Sequence, residues 1–419
     1  MTFSAVAGAA LPFLIAAFVA AAAIAFVLTP VVRRVALYVD AVDHPDHRRV
    51  NITPIPRGGG VAVATAFIAV ALSISLASAE FKWLTIPFAV DTANLIALLL
   101  GGGLAAAFGV LDDYFDLRAR WQFVGQLGLA LLAIGLGIVV DFIANPLGPG
   151  VIRFSEPFAI GFTVLWIAGM INSINFIDGL DGLSSGVALI AAVTLGTISL
   201  TTQVSQPFVG VLCFALAGAL LGFLRWNFHP ATVFVGTSGV MFIGYTLAVL
   251  AILGTAKVAV ALLVLGVPII DAFWIIVRRV AQRRSPFSPD RGHLHHLLLD
   301  VGLSHRRTVL FIYGVCIVLG ALSLLLTGAS QVVAFVTVFV AIGVALFVLA
   351  RLDLGDAGAA AGAPAADTSP ADPDASLSGA TAPTAALDRG VGEAVGPGIV
   401  DRTARGESPT PRAETSPRP

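Results

Sequence analysis

Charge is what this 419-residue sequence has least of: 24 Lys and Arg plus 25 Asp and Glu make up only 12% of the chain. A soluble domain carries about 25% charged residues. With 57% hydrophobic residues and a mean hydropathy of +0.93, the chain has too little polar surface to cover a water-soluble globule. That excludes a soluble enzyme, a nucleic-acid-binding protein and a fibrous or wholly disordered chain. Cysteine is scarce too. Cys213 and Cys316 both sit inside apolar runs, so they make no disulfide framework and fix no redox compartment. The net charge of −1 selects no partner. No repeat of fixed period is present, and neither is the pair of matching interrupted helices that marks many transporters.

What is there is a series of apolar runs. A bilayer core about 30 Å thick takes roughly 20 residues per helix. Runs of that order lie near residues 5–32, 59–79, 94–111, 122–144, 157–174, 183–201, 207–224, 238–254, 257–277, 307–327 and 331–350. The expectation is an all-α polytopic membrane protein of about eleven transmembrane helices. The first run lacks the positive start of a signal peptide and is too long for its apolar region, so it is expected to stay as a span. Alternate loops differ sharply in arginine. One set, with the residue after the last run, holds Arg33, Arg34, Arg48, Arg49, Arg57, Arg118, Arg120, Arg225, Arg278, Arg279, Arg283, Arg284, Arg291, Arg306, Arg307 and Arg351. The other holds Lys82, Arg153 and Lys257. By the positive-inside rule the arginine loops are cytoplasmic, the N-terminus outside and the C-terminus inside.

From residue 352 the composition turns to Ala, Pro, Gly, Asp, Ser and Thr. Such a stretch cannot bury enough apolar surface to offset its ordering entropy. The organisation expected is therefore a membrane domain over 1–351 and a disordered cytoplasmic tail over 352–419.

Polar groups are costly in a membrane chain, so their placement is informative. They cluster at the ends expected to face the cytoplasm. The first cluster runs from Asp43-His44-Pro45-Asp46-His47-Arg48-Arg49 to Pro56-Arg57-Gly58-Gly59-Gly60. Its glycines have two open uses: offering N–H groups to a phosphate, or letting a helix pack closely. The second is Asp112-Asp113-Tyr114-Phe115-Asp116, a DDxxD string whose adjacent carboxylates repel unless a hard cation such as Mg2+ lies between them. In the third, Asn172, Asn175, Asp178 and Asp181 recur every third residue, with Gly179 and Gly182 loosening the turn. Two carboxamides and two carboxylates supply metal acceptors and phosphate donors. A fourth segment runs from Arg225 through His229-Pro230 to Gly236-Thr237-Ser238-Gly239. The fifth holds Arg278, Arg279, Arg283, Arg284, Arg291 and His293-Leu294-His295-His296, where arginine forks and imidazoles suit an anion better than zinc.

Together these segments resemble the polyprenyl-phosphate N-acetylhexosamine-1-phosphate transferases, the bacterial WecA/MraY-type phosphoglycosyl transferases. The likeness covers about residues 1–350. Pro56-Arg57-Gly58-Gly59-Gly60 and His293-Leu294-His295-His296 look like the branch that uses UDP-N-acetylglucosamine. The resemblance implies a Mg2+-dependent reaction (Mn2+ being an alternative ion) in which a polyprenyl phosphate attacks the β-phosphorus of a UDP-sugar and UMP leaves. It implies a multi-pass protein of the plasma membrane, with its active site facing the cytoplasm and a place early in cell-envelope polysaccharide synthesis. Catalytic candidates are Asp112, Asp113, Asp178, Asp181, His293, His295 and His296. Substrate-binding candidates are Arg57, Asn172, Asn175, Asp178, Arg279, Arg291, His293 and His295. Metal candidates are Asp112, Asp113, Asn175 and Thr237. Members commonly carry a metal-binding aspartate where this chain has Thr237, so the site is expected to have one negative charge less.

Other readings stay open from sequence alone. One is a catalytically degenerate relative that binds UDP-sugar or lipid phosphate. Another is an intramembrane prenyltransferase, suggested by the DDxxD string. A homodimer is neither required nor excluded.

Overall fold

A chain that meets lipid must satisfy its own backbone hydrogen bonds, and α-helices of alanine, leucine, valine and isoleucine do so within one segment. The computed structural model is accordingly mostly helical. It describes residues 5–43, 54–80, 91–145, 148, 150–202, 204–254, 261–262, 265–281, 283, 293–326 and 328–361. These fall in one compact unit, Met1–Gly362. The helices are α1 (Ala5–Tyr38), α2 (Gly60–Glu80), α3 (Thr92–Phe115), α4 (Ala119–Gly135), α5 (Glu156–Ile177) and α6 (Leu183–Ser199). They continue as α7 (Pro207–Asn227), α8 (Gly236–Leu253), α9 (Gly266–Ala281), α10 (Leu294–Asp300), α11 (His305–Leu325) and α12 (Ala329–Ala361). Two short antiparallel hairpins join them. In one, β1 (Val42–Asp43) pairs with β2 (Ile55–Pro56). In the other, β3 (Phe142–Ala144) pairs with β4 (Val151–Arg153) in register Ile143 to Ile152.

Each apolar run overlaps one of these helices, although the run at 257–277 is described continuously only from Leu265; α10 is a short addition. Seven are long and apolar enough to cross a membrane: α1, α2, α3, α5, α7, α8 and α11. Shorter apolar helices lie at Leu183–Ser199 and Ala329–Val344. The run at 122–144 is helical only to Gly135, after which the chain turns into β3. Helix α12 continues past residue 351 to Ala361. Residues 362–419, which hold most of the segment expected to be an unfolded tail, lie outside the described residues.

Helices α7 and α8 form the centre, with about four-fifths of their residues enclosed (83% and 78%). Gly218 and Gly222, one turn apart on α7, face α1 so closely that a Cβ at either would lie 2.1 Å from the Phe18 or Ala22 carbonyl oxygen. Small residues at this spacing are how membrane helices gain dispersion contacts. Helix α8 is tied on three sides. Trp166 Nε1 on α5 donates to the Ala248 carbonyl (3.1 Å), and Tyr245 Oη donates to the Ala97 carbonyl on α3 (2.8 Å). On α2, Phe67 meets Phe242 edge-on at 5.7 Å. Membrane hydrogen bonds of this kind contribute roughly 0.6 kcal/mol each, so packing supplies most of the cohesion. Outer helices turn large apolar side chains outward, such as Val27, Leu76, Leu165 and Leu325. The central post thus holds its N-terminus, Gly236, in a fixed place among the ends of α2, α3, α5 and α7.

Candidate active site

At that end of the bundle lies a cavity of about 680 Å3. It opens where α3, α5 and α7 finish and α2, α6, α8 and α11 begin. Asp43, Arg57, Asp113, Asn175, Asp178 and Asp181 line it, and Asn227, His229, Thr237, His296 and His305 complete its polar wall. Residues from all five clusters seen in the sequence therefore meet in one space.

The two adjacent aspartates of α3 part company. Asp113 turns to the start of α8, where its two carboxylate oxygens accept the Thr237 N–H (2.7 Å) and the Ser238 N–H (3.1 Å). An anion belongs at a helix N-terminus, where N–H groups lack intrahelical partners and the helix dipole is positive. Gly236 makes the approach feasible: its φ is +71°, and a Cβ there would lie 2.6 Å from Asp113 Oδ2. Asp112, only 4% exposed, turns away to α4, whose Gln122 Nε2 donates to both its oxygens at 2.9 and 3.0 Å. Asn172 faces the same seam. Its Nδ2 donates to Gln126 Oε1 (2.6 Å) and to the Ala168 carbonyl (2.8 Å). Asp112 and Asn172 thus belong to a polar seam between α3, α4 and α5 and do not line the cavity.

Asn175, Asp178 and Asp181 stay with the cavity as α5 ends and the chain turns into α6. Ser184 Oγ donates to Asp178 Oδ1 (2.5 Å). Burial, with the Asp113 and Asp181 charges adding to it, pushes the Asp178 carboxyl up to about 7, against the Ser184 hydrogen bond and Arg57. Asp181 Oδ2 accepts the Ala231 N–H (3.1 Å) and lies 2.7 Å from His229 Nδ1.

The three histidines of the His-Leu-His-His string have three different situations. His293 Nδ1 is 2.8 Å from Asp271 Oδ2, while Asp271 Oδ1 accepts the Leu294 N–H at 2.7 Å. The buried Asp271 of α9 therefore fixes the start of α10 and does not reach the cavity. His295, 2% exposed, packs flat against the α5–α6 turn: a Cβ on Gly179 would sit 2.4 Å from its Nε2. Burial, then the neighbouring His296, His293 and His305, push its pKa well below the usual range, so it is neutral at pH 7. His296 alone of the three lines the cavity.

Arg57 is held at the rim. Its Nε donates to Asp43 Oδ1 (2.8 Å), its Nη2 reaches the same oxygen, and Nη1 lies 3.8 Å from the exposed Asp116. The glycines behind it answer the question left open by the sequence. The Gly59 and Gly60 N–H groups donate to the Phe234 and Val235 carbonyls at 2.9 and 2.8 Å. They are therefore committed to the loop before α8, and close packing rather than phosphate binding explains them. Arg279 is buried in the last turn of α9, away from the cavity lining. Arg291 lies outside the described residues, as do His44–Arg49.

Sequence reasoning passed over His229, His305, Asp43 and Asn227 as cavity residues. Asp43 opens the first cluster and Asn227 and His229 lie in the fourth segment, though none was singled out as a site residue; His305 had no local signal and meets them through the fold.

Asp113, Asn175, Asp178 and Thr237 all line the cavity and offer oxygen donors, the hard kind that suits Mg2+. Burial first, and then the Asp113 and Asp181 charges, raise the Asp178 carboxyl, and a divalent cation would offset both. On these two observations the residues fit the ion.

The glycosyl transferase family 4 model matches residues 95–255, which span α3 to α8 and most of the cavity wall. The chain is 33% identical over 340 residues to a probable undecaprenyl-phosphate N-acetylglucosaminyl 1-phosphate transferase of Bacillus subtilis, covering 78% of this chain and 89% of that one. It is 37% identical over 362 residues to a decaprenyl-phosphate N-acetylglucosaminephosphotransferase of Mycolicibacterium smegmatis, covering 79% and 87%. An undecaprenyl-phosphate α-N-acetylglucosaminyl 1-phosphate transferase of Yersinia pestis is 29% identical over 294 residues, covering 67% and 76%.

Proposed function

The chain belongs to the polyprenyl-phosphate N-acetylhexosamine-1-phosphate transferases of glycosyl transferase family 4, and from that premise we propose how it works. It transfers N-acetylglucosamine-1-phosphate from UDP-N-acetylglucosamine to a polyprenyl phosphate and releases UMP. The observation that carries this reading is the cavity itself: Arg57, Asp113, Asn175, Asp178 and Asp181 meet at one end of an apolar bundle. A soluble nucleotide and a lipid headgroup can meet only at such a boundary.

Phosphoryl transfer asks a protein mainly for positioning and charge neutralisation. Asp113, Asn175, Asp178 and Thr237 would hold Mg2+, which when bound neutralises charge on the diphosphate. Arg57, oriented by Asp43, supplies a fixed guanidinium at the rim. His296, on the cavity wall, donates from its ring to phosphate oxygens. His295 acts behind it, as a neutral wedge that holds the Asp178–Gly179 turn in place. A phosphate monoester with a second pKa near 6 is already mostly ionised at pH 7, so no residue need take a proton from the acceptor. Asp112 then serves the α3–α4 seam. Its bonds to Gln122 keep α3 in the rotation that presents Asp113 to α8.

Arg33 and Arg306 donate to the Thr232 and His229 carbonyls at the cavity end, and Arg57 lines the cavity, in keeping with an arginine-rich face there. With eleven crossings this end faces the cytoplasm, the N-terminus lies outside, and the protein resides in the plasma membrane. The reading is tested with detergent-solubilised protein, polyprenyl phosphate, Mg2+ and UDP-N-acetylglucosamine, resolving the nucleotide product. UMP is expected. UDP would mean transfer of the sugar alone, and no release from any UDP-sugar would favour a binding-only relative.

A further inference from the structure

Three separate elements bring a second set of ligating side chains to the cavity wall. Asp181 comes from the α5–α6 turn, His229 from the α7–α8 loop and His305 from the first residue of α11. One ligand atom from each lies within 4.8 Å of the others. The imidazoles of His229 and His305 stack at 4.1 Å with their planes 19° apart. Both ring nitrogens of His305 are shielded from solvent without a well-formed hydrogen bond among the described residues, the Asp181 backbone being the near polar group that interacts with the ring. The Asp181 and His229 groups lie beside them. Leaving a buried polar atom without a partner costs about 1–3 kcal/mol, so the cluster lacks something that would satisfy it.

We propose that Asp181, His229 and His305 bind a transition-metal dication of the Zn2+ class, at a site separate from the oxygen cluster of Asp113, Asn175, Asp178 and Thr237. The donor chemistry distinguishes the two. Imidazole nitrogen suits Zn2+ and its neighbours, whereas oxygen-only sets suit Mg2+. Two imidazoles and one carboxylate also match the three-ligand pattern of zinc sites that keep a fourth position open. All three residues line the cavity, so that position faces the space in which a phosphate oxygen or water would sit. A ligand set is usually steadied by outer hydrogen bonds. Here the Ala231 N–H donates to Asp181 (3.1 Å), and Arg306 Nε donates to the His229 carbonyl (3.2 Å). Tetrahedral Zn–N bonds of about 2.0–2.1 Å place ligands about 3.4 Å apart. Asp181 Oδ2 and His229 Nδ1, now 2.7 Å apart, would open slightly, while ligand atoms up to 4.8 Å apart would close, both within the reach of side-chain rotation.

The test uses untagged full-length protein in detergent, stripped with chelator and titrated with Zn2+, without substrate so that its result is independent of catalysis. One Zn2+ per chain is expected, with visible absorption bands when Co2+ is substituted. X-ray absorption of the Zn2+ form should give two imidazole nitrogens. His305→Gln and His229→Gln should each weaken Zn2+ binding at least tenfold, with Mg2+ affinity changed less than twofold. Absence of stoichiometric Zn2+, a shell of oxygen ligands alone, or wild-type affinity in either folded variant would overturn the proposal. If one variant fails to fold, the other and the absorption spectrum decide.

Discussion

Asp113→Asn would separate the structural work of this aspartate from its chemistry. The wild-type carboxylate accepts two N–H groups, at 2.7 and 3.1 Å, from the first turn of α8. An asparagine keeps one acceptor and sets an NH2 group against the other N–H. A hydrogen bond to a charged group contributes about 1.5–3 kcal/mol, and losing a helix cap costs about 1. The expected loss is therefore about 2–3 kcal/mol, concentrated at the start of α8. In hydrogen exchange that corresponds to protection at the Thr237 and Ser238 amides falling by roughly 30- to 150-fold, at 1.4 kcal/mol per tenfold. Asp112→Asn supplies the control. Its oxygens bond Gln122 on α4, so exchange at residues 237–238 should stay as in the wild type. If Asp113→Asn abolished activity while leaving those amides fully protected, Asp113 would be no cap, and the account of the cavity floor would fail.

Four further outcomes are expected. Gly179→Ala puts a methyl group 2.4 Å from His295 Nε2; melting in detergent should show destabilisation by about 1–3 kcal/mol, which His295→Ala added in the same chain should partly restore. Mg2+ binding at pH 7 should release about half a proton, because Asp178 sits at about 7 in the metal-free protein and must ionise to bind; calorimetry in buffers of different ionisation enthalpy measures it, and Asp178→Asn should abolish the release. The sign for stability follows. An unfolded aspartate titrates near 4, so between about pH 4 and 7 the folded metal-free chain holds more protons than the unfolded one. Its stability should therefore fall as pH rises through that window and recover on adding Mg2+. Thr237→Asp adds a carboxylate to the oxygen cluster and should tighten Mg2+ binding; equal or weaker affinity by the same calorimetry would place Thr237 away from the ion.

The length of the apolar runs made the helices legible, because lipid leaves the backbone few alternatives. It could not locate where α4 gives way to β3 after Gly135, since that stretch is equally apolar on both sides of the boundary. Within the site, Asn175, Asp178, Asp181 and Thr237 were legible because polar residues between apolar runs have few other reasons to exist. The fate of neighbouring residues was not. Asp112 and Asp113 are adjacent, and only the rotation of α3 decides that one caps α8 while the other pairs with Gln122. A three-residue spacing placed Asn172 with Asn175, yet three residues span about 300° of helix, and that drift carries Asn172 into the α4 seam. His293 and His295 look like ligands in sequence and turn out to be held by Asp271 and Gly179, partners 22 and 116 positions away. His305 had no local signal at all, as it joins His229 only through the packing of α11.

The most direct measurement uses UDP-N-acetylglucosamine labelled with 32P in the β-phosphate and 3H in the sugar, incubated with the purified protein, polyprenyl phosphate and Mg2+. Both labels should enter the organic phase in equal molar amounts and leave unlabelled UMP in the water. Tritium alone in the lipid, with 32P remaining in UDP, would contradict phosphosugar transfer at this cavity.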